Sequence, residues 1–289
     1  TQARAQKIVP LKFLFRADTA VALSHPRALA VDPLGNVYVA DTGNHRIVWF
    51  SPQGKFLRYI GGLGSGTEQF DTPVDLCAPD GLNLYVADHN NSRVVQLDRK
   101  LNWVAGFRGS EFREEWGRFA LPAGITASLQ GDIFIAEEER SGVVKFNSFW
   151  QPVSRFGGME SGEAILDRPG QLAVVADKWL AVADVDAGRI ALFDYFGNFV
   201  HFLGEKVFRQ PVGLCAVPGK EEFLVADATL RQIFVVTPSG IVGELKPVSG
   251  LAETVWQIPA DVAISGNRLY VADSARNALL VYQILRPQE

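Results

Sequence analysis

The chain has 289 residues, 47% hydrophobic and 21% charged, with a formal net charge of −4 at pH 7. That balance argues against a protein that works by neutralising nucleic-acid phosphates, which takes a basic surface. No apolar run reaches the roughly 18–20 residues of a membrane-spanning helix, and the length fits either two ordinary domains or one large all-β domain.

Taken in order, the first element is Ile8 to Arg16 (IVPLKFLFR), an apolar segment ahead of any repeat. After Pro26 come four short strand-like runs: Arg27–Val31, Val37–Asp41, Arg46–Phe50 and Lys55–Ile60. The turns between them, Asp32–Asn36, Thr42–His45 and Ser51–Gly54, carry the Pro, Gly, Asn and Asp that reversals need. The third run places Ile47 and Trp49 on one face and Val48 and Phe50 on the other. A strand apolar on both faces belongs to a sheet covered on both sides.

This unit recurs. The motif at Tyr38–Asp41 (YVAD) returns at Tyr85–Asp88, Phe134–Glu137, Ala181–Asp184, Leu224–Asp227 and Tyr270–Asp273. The prolines ahead of the copies, Pro26, Pro73, Pro122, Pro169, Pro211 and Pro259, lie 47, 49, 47, 42 and 48 residues apart by subtraction. A period of roughly 40–50 residues with about four strands per unit is the signature of propeller blades, and it leaves no room for crossover helices. The alanine of each copy is expected to let neighbouring sheets approach closely. The last copy lacks a fourth strand, which Ile8–Arg16 is expected to supply, closing the ring and protecting its open edge. The expected fold is therefore all-β: one domain over 1–289, a six-bladed β-propeller of four-stranded antiparallel blades, with residues 8–16 completing the sixth blade.

The stretch Asp41–Ile47 (DTGNHRI), preceded by YVA and followed by Phe50 and Gly54, resembles the NHL repeat. The resemblance runs from about Ile8 to Leu285. It implies a six-bladed β-propeller, the number reached from the repeats themselves.

Each hairpin carries an acid, and three carry an arginine five residues on: Asp41/Arg46, Asp88/Arg93 and Asp184/Arg189. The fifth and sixth copies shift the base to Arg231 and Arg276, and the third has Glu137 with Gly142 opposite. A carboxylate ring for a cation is one reading. Repetition favours the other, a structural clamp in which the acid satisfies turn N–H groups and a guanidinium.

Function is sought where copies differ. The second residues after the repeat prolines read Ala28, Asp75, Gly124, Gln171, Gly213 and Asp261. Asp75 and Asp261, with Arg27 and His25, form a candidate polar cluster at the channel mouth. His25, His45 and His89 fall on the same face but at non-equivalent positions, so zinc ligation, which needs convergence on one point, is not expected. Propeller lactonases place a Glu at the start of an inner strand, and none closely precedes the six prolines. No Gly-x-Ser-x-Gly elbow or phosphate loop appears. No catalytic residue, metal or cofactor is assigned. Cys77 and Cys215 occupy one register position on opposite sides of the ring and are read as free thiols.

The loop Gly109–Phe119 (GSEFREEWGRF) sets Phe112 and Trp116 among charges, and the third copy replaces the polar turn with Glu137, Glu138, Glu139 and Arg140. That is interface composition, although both aromatics also suit a plug between blades. Leu245–Ile258 is a second long connection. The expected role is a non-enzymatic scaffold binding another protein through Arg27, Asp75, Phe112, Trp116, Glu137, Glu138, Glu139 and Asp261. The alternatives are a metal-dependent hydrolase or lyase at the channel mouth and, against the net charge, an RNA-binding propeller. The chain starts at Thr1 and its only methionine is Met159. That fits either a product matured by signal removal or a trimmed chain, and the expected location is extracytoplasmic.

Overall fold

A computed structural model describes residues 7–17, 19–159, 162–248 and 255–285. It is all-β. Lys7–Arg16 is β1, followed by β2–β5 (Ala28–Val31, Val37–Asp41, Arg46–Phe50, Phe56–Gly61) and β6–β9 (Pro73–Cys77, Asn83–Asp88, Arg93–Asp98, Trp103–Arg108). Next come β10–β13 (Pro122–Ala127, Ile133–Glu137, Gly142–Phe146, Pro152–Phe156) and β14–β17 (Pro169–Val175, Trp179–Asp184, Arg189–Asp194, Phe199–Leu203). The last are β18–β21 (Pro211–Ala216, Phe223–Asp227, Gln232–Thr237, Gly240–Pro247) and β22–β24 (Pro259–Ser265, Arg268–Asp273, Ala278–Ile284). Among the described residues no helix is long and apolar enough to cross a membrane.

Strands β2–β5, β6–β9, β10–β13 and β14–β17 each form a four-stranded antiparallel blade, and the rest join one eight-stranded sheet ordered β18-β19-β20-β21-β1-β24-β23-β22. The expectation of six separate blades thus differs from what is seen, four blades and one larger sheet, because β1 pairs on both its edges. It runs antiparallel to β24, with Leu11 opposite Ile284 and Arg16 opposite Leu280. It also runs parallel to β21, Lys7 opposite Gly243 and Leu11 opposite Pro247. Gly243 permits this approach, since a Cβ there would stand 2.6 Å from the Lys7 carbonyl oxygen.

The inner strands β2, β6, β10, β14, β18 and β22 touch in that cyclic order, with β22 returning to β2. Apolar clusters fill the junctions between successive strand groups. The alanines Ala40, Ala87, Ala136, Ala183, Ala226 and Ala272 are fully buried there, where a larger side chain would push the sheets apart. In five inner strands the register slips just after the repeat proline, at Pro73/Asp75, Pro122/Gly124, Pro169/Leu172, Pro211/Gly213 and Pro259/Asp261. Such bulges re-aim side chains, and the residues they contain line the mouth of the central channel.

Candidate functional site

The hairpin acids are fully buried in every copy: Asp41, Asp88, Glu137, Asp184, Asp227 and Asp273. Asp41 accepts from the Ser24 backbone N–H (2.6 Å), Asn44 Nδ2 (2.9 Å) and Arg46 Nε (2.7 Å). Asp41, Asp88, Asp184, Asp227 and Asp273 each accept in this way from the loop ahead of the inner strand. Glu137 accepts from the Arg140 N–H of its own turn, and all six are engaged by protein donors. Two copies depart from the expected base. Glu137 pairs with Arg155 from β13 rather than with a neighbour in its own hairpin. Asp227 is met by the backbone N–H groups of Arg209, Gln210 and Leu230, with no ion pair among the described residues.

The channel mouth is a cavity of about 550 Å³ to which all six strand groups contribute. The residues immediately after the repeat prolines line it: Arg27, Val74, Ala123, Gly170, Val212 and Ala260. Only Arg27 is charged, and its exposed side chain sits in a concavity whose walls displace enough water to lower its pKa. Around it stand His25, His89, Glu138, Arg168 and Gln210. Arg168 pairs with Asp186 at 2.7 Å, and Glu138 stands 3.9 Å from both Arg168 and His89. Among the described residues no group of three or more His, Cys, Asp or Glu could hold a metal ion. Cys77 and Cys215 are free thiols.

Asp75 and Asp261 lie at the channel but are buried, so neither is a surface contact. Asp75 accepts from the N–H groups of Leu76 (2.9 Å) and Ile125 (2.7 Å) and from Gln171 Nε2 (3.1 Å). Asp261 accepts from Val262 (2.7 Å) and Leu29 (2.7 Å) and also hydrogen-bonds Gln171. Gln171 Oε1 in turn accepts from the Leu214 N–H at 2.8 Å. Each polar side chain thus staples its own inner strand to the next one, alternating with the small residues Ala28, Gly124 and Gly213. The alternation is steric: a Cβ on Gly213 would lie 2.7 Å from Asp261 Cα, and one on Gly124 would lie 2.2 Å from the Gly170 carbonyl oxygen.

Burial pushes both carboxyls up, Asp261 to about 7 and Asp75 further raised by the Asp261 charge. The folded chain therefore holds protons in a range where the unfolded chain, with aspartates near pKa 3.9, has released them. This contribution to stability is present at low pH and lost as pH rises through the folded value. For Asp261 it falls by about 2–3 kcal/mol between pH 5 and 8. Denaturant melts are expected to show greater stability at pH 5 than at pH 8, and a flat or rising profile would contradict the burial argument.

The loop 109–119 divides its aromatics. Phe112 packs on Phe146 (ring centroids 4.8 Å) and Phe119 (6.1 Å), so it plugs the junction between the β6–β9 and β10–β13 blades. Its charged neighbours gave it interface composition, but the apolar pair beneath covers it. Trp116 remains 42% exposed. Glu115 reaches Arg140 at 3.6 Å, which sets the loop beside the turn where Glu139 is exposed. The structure thus assembles two neighbourhoods, a mouth with Arg27 and Glu138 and a rim with Trp116 and Glu139. It removes Glu137, Asp75, Asp261 and most of Phe112 from the accessible surface. Arg168 and Gln210, absent from the expected set, sit just before repeat prolines as His25 does; that shared position was the available signal. In the second connection Trp256 is buried and Val255 exposed, while 249–254 lie outside the described residues.

Residues 23–50 match the NHL repeat. NHL repeat-containing protein 2 of Bos taurus is 33% identical over 96 residues, 29% of this chain and 13% of that protein. The curated relatives are matched over only 7–13% of their own lengths. A gluconolactonase of Xanthomonas campestris shares the fold with TM-score 0.69 at 13% identity, over 97% of this chain and 96% of that one. An inactive virginiamycin B lyase of Staphylococcus aureus, solved with quinupristin, does so with TM-score 0.63 at 15% identity, over 93% and 84%. The chain thus has an all-β propeller-like fold with four-stranded antiparallel blades, and it contains an NHL repeat.

Proposed function

We propose that the chain is a single-domain, six-bladed NHL-type propeller that acts as a non-enzymatic, extracytoplasmic recognition module, binding another protein through the loop face. The six-blade reading treats the eight-stranded sheet as two blades sewn together by β1. The cyclic contacts of six inner strands and the apolar clusters at their junctions support it. The observation that carries the function is the break in repeat symmetry on one face, where Arg27, Glu138, exposed Trp116 and Glu139 stand among otherwise equivalent loops. Loops held by a rigid scaffold are where binding concentrates. A non-enzymatic role is supported by the commitment of Asp75, Asp261 and the hairpin acids to backbone and guanidinium donors.

A photo-crosslinking residue at position 116 or 139 is expected to capture a protein partner in the native source, and one at Phe196 on the opposite face is not. Trp116→Ala is expected to weaken that capture about tenfold or more, as truncated aromatic anchors do. Capture only from position 196, or none at all, contradicts the reading. The rival, a metal-assisted hydrolase or lyase, draws on the size of the mouth cavity, and elemental analysis of the purified protein decides it. Fractionation of the native source tests the location.

A further inference from the structure

Every blade-clamping arginine is engaged, but Arg27 is not. Arg46, Arg93, Arg155 and Arg189 each meet a buried carboxylate, and Arg168 in the mouth meets Asp186. Among the described residues the Arg27 guanidinium makes no hydrogen bond and no ion pair; only its backbone N–H is used, donating to the Ala40 carbonyl at 3.1 Å. The two acids that act on it electrostatically are Glu138 and Asp75. Asp75 is already occupied by Leu76, Ile125 and Gln171, and Glu138 lies toward His89 and Arg168.

Guanidinium groups bind planar carboxylates through two parallel N–H donors, and a desolvating concavity strengthens such a bond relative to open water. A cavity of about 550 Å³ lies within the ordinary range for small-ligand sites, roughly 300–1,000 Å³. Its lining includes the apolar side chains Val74, Ala123, Val185, Val212, Ile258 and Ala260, of which Val74 and Ala260 stand on the inner strands that adjoin that of Arg27. They suit a small aliphatic stem. Charge narrows the choice further. The Arg168 charge is felt at Arg27 but is offset by its pairing with Asp186. Glu138 adds a negative charge at the same mouth, and among the described residues of the mouth Arg27 is the arginine without an ion-pair partner. A monoanion is therefore favoured over a phosphate dianion.

We propose that Arg27 anchors a binding site in the channel mouth for a single carboxylate carried on a short aliphatic stem. It is either a free organic acid or the C-terminal carboxylate of a peptide. This deepens the loop-face reading above and rests on it only for the peptide source.

The test is calorimetric titration of the whole chain with isobutyrate, isobutyramide, inorganic phosphate, and the peptide Gly-Gly-Ala-Val with a free or an amidated C-terminus. At least one carboxylate is expected to bind about tenfold or more tightly than its amide, the scale of a charge-assisted contact. Arg27→Gln is expected to abolish that preference. Ala260→Glu, which sets a carboxylate on the neighbouring inner strand, is expected to block binding with Arg27 intact. Thermal melts report whether each variant is folded. Binding of isobutyrate without the peptide assigns the site to free acids and counts against the peptide source; preference for the free-acid peptide assigns it to chain termini. The proposal is overturned if no carboxylate binds, if phosphate binds as tightly, or if Arg27→Gln leaves the acid-over-amide preference intact. Capture through positions 116 and 139 is read separately, so loss of the carboxylate site and loss of the protein-binding reading are distinguishable.

Discussion

A chain lacking residues 1–16 is expected to lose its cooperative thermal transition, and a synthetic peptide spanning Lys7–Arg16 is expected to restore it. β1 is bonded along both edges, to β21 and to β24, so its removal uncovers two strand edges at once. Its fully buried Leu11 sits with Leu245, Leu280 and Tyr282, and Val9 and Phe13 pack against the same cluster. Phe13 meets the Tyr282 ring edge-on at 5.6 Å. Burying Leu11 alone is worth about 2–5 kcal/mol by truncation to alanine. Adding Val9, Phe13 and two ladders of hydrogen bonds brings the loss into the range of a whole domain's stability, about 5–15 kcal/mol. Uncovered edges also template association between chains, so the truncated protein is expected to aggregate unless the peptide is present. Leu11→Ala gives a graded version, measurable by urea titration. A truncated chain that melts cooperatively at the full-length temperature would show that the eight-stranded sheet does not depend on β1.

The repeat period made most of the fold legible, because six prolines at nearly even spacing fix six inner strands and the hairpins that follow them. The clamp was readable for the same reason: an acid that recurs at one position in every copy answers a requirement of the backbone. What escaped was whatever depends on contact between copies. The parallel seam between β1 and β21 exists because Gly243 lacks a side chain, and one glycine among 27 carries no such message in the sequence. Asp75 and Asp261 were recognisable as departures from the repeat. Their bond to Gln171 becomes visible only when alternate copies are laid around a ring. Phe112 misled because its sequence neighbours are charged while its spatial neighbours, Phe119 and Phe146, are apolar. Arg27 was legible as a charge, but that it lacks an ion-pair partner among the described residues while Arg168 beside it in the mouth has one is a fact of the assembled mouth.

Asp88→Ala is expected to destabilise the protein by about 3–5 kcal/mol, the cost of leaving a buried charge without its counter-ion. Asp88 accepts from Arg93 Nε (2.7 Å), Asn91 Nδ2 (2.8 Å) and the Asp71 N–H (2.8 Å). Arg93 is itself buried and donates onward to the carbonyls of Ser65 (2.9 Å), Gly66 (3.0 Å) and Gln69 (2.7 Å). It thereby holds the connection between the β2–β5 and β6–β9 blades. Burial raises the Asp88 pKa even against these donors, so desolvation outweighs what the carboxylate gains from them, and the clamp matters chiefly because half of it is worse than none. The double variant Asp88→Ala/Arg93→Met is therefore expected to cost less than the sum of the single changes, by a coupling of about 1–3 kcal/mol. Asp227 supplies the internal comparison. Its partners among the described residues are backbone N–H groups, so Asp227→Ala strands no cation there and is expected to cost about 1–3 kcal/mol. Urea titration of the four variants separates the two situations. Equal losses at Asp88 and Asp227, or strict additivity of Asp88 with Arg93, would mean that the carboxylate acts only as an acceptor for the turn. The recurring arginine would then serve only the carbonyls of the connection rather than act as a working half of the clamp.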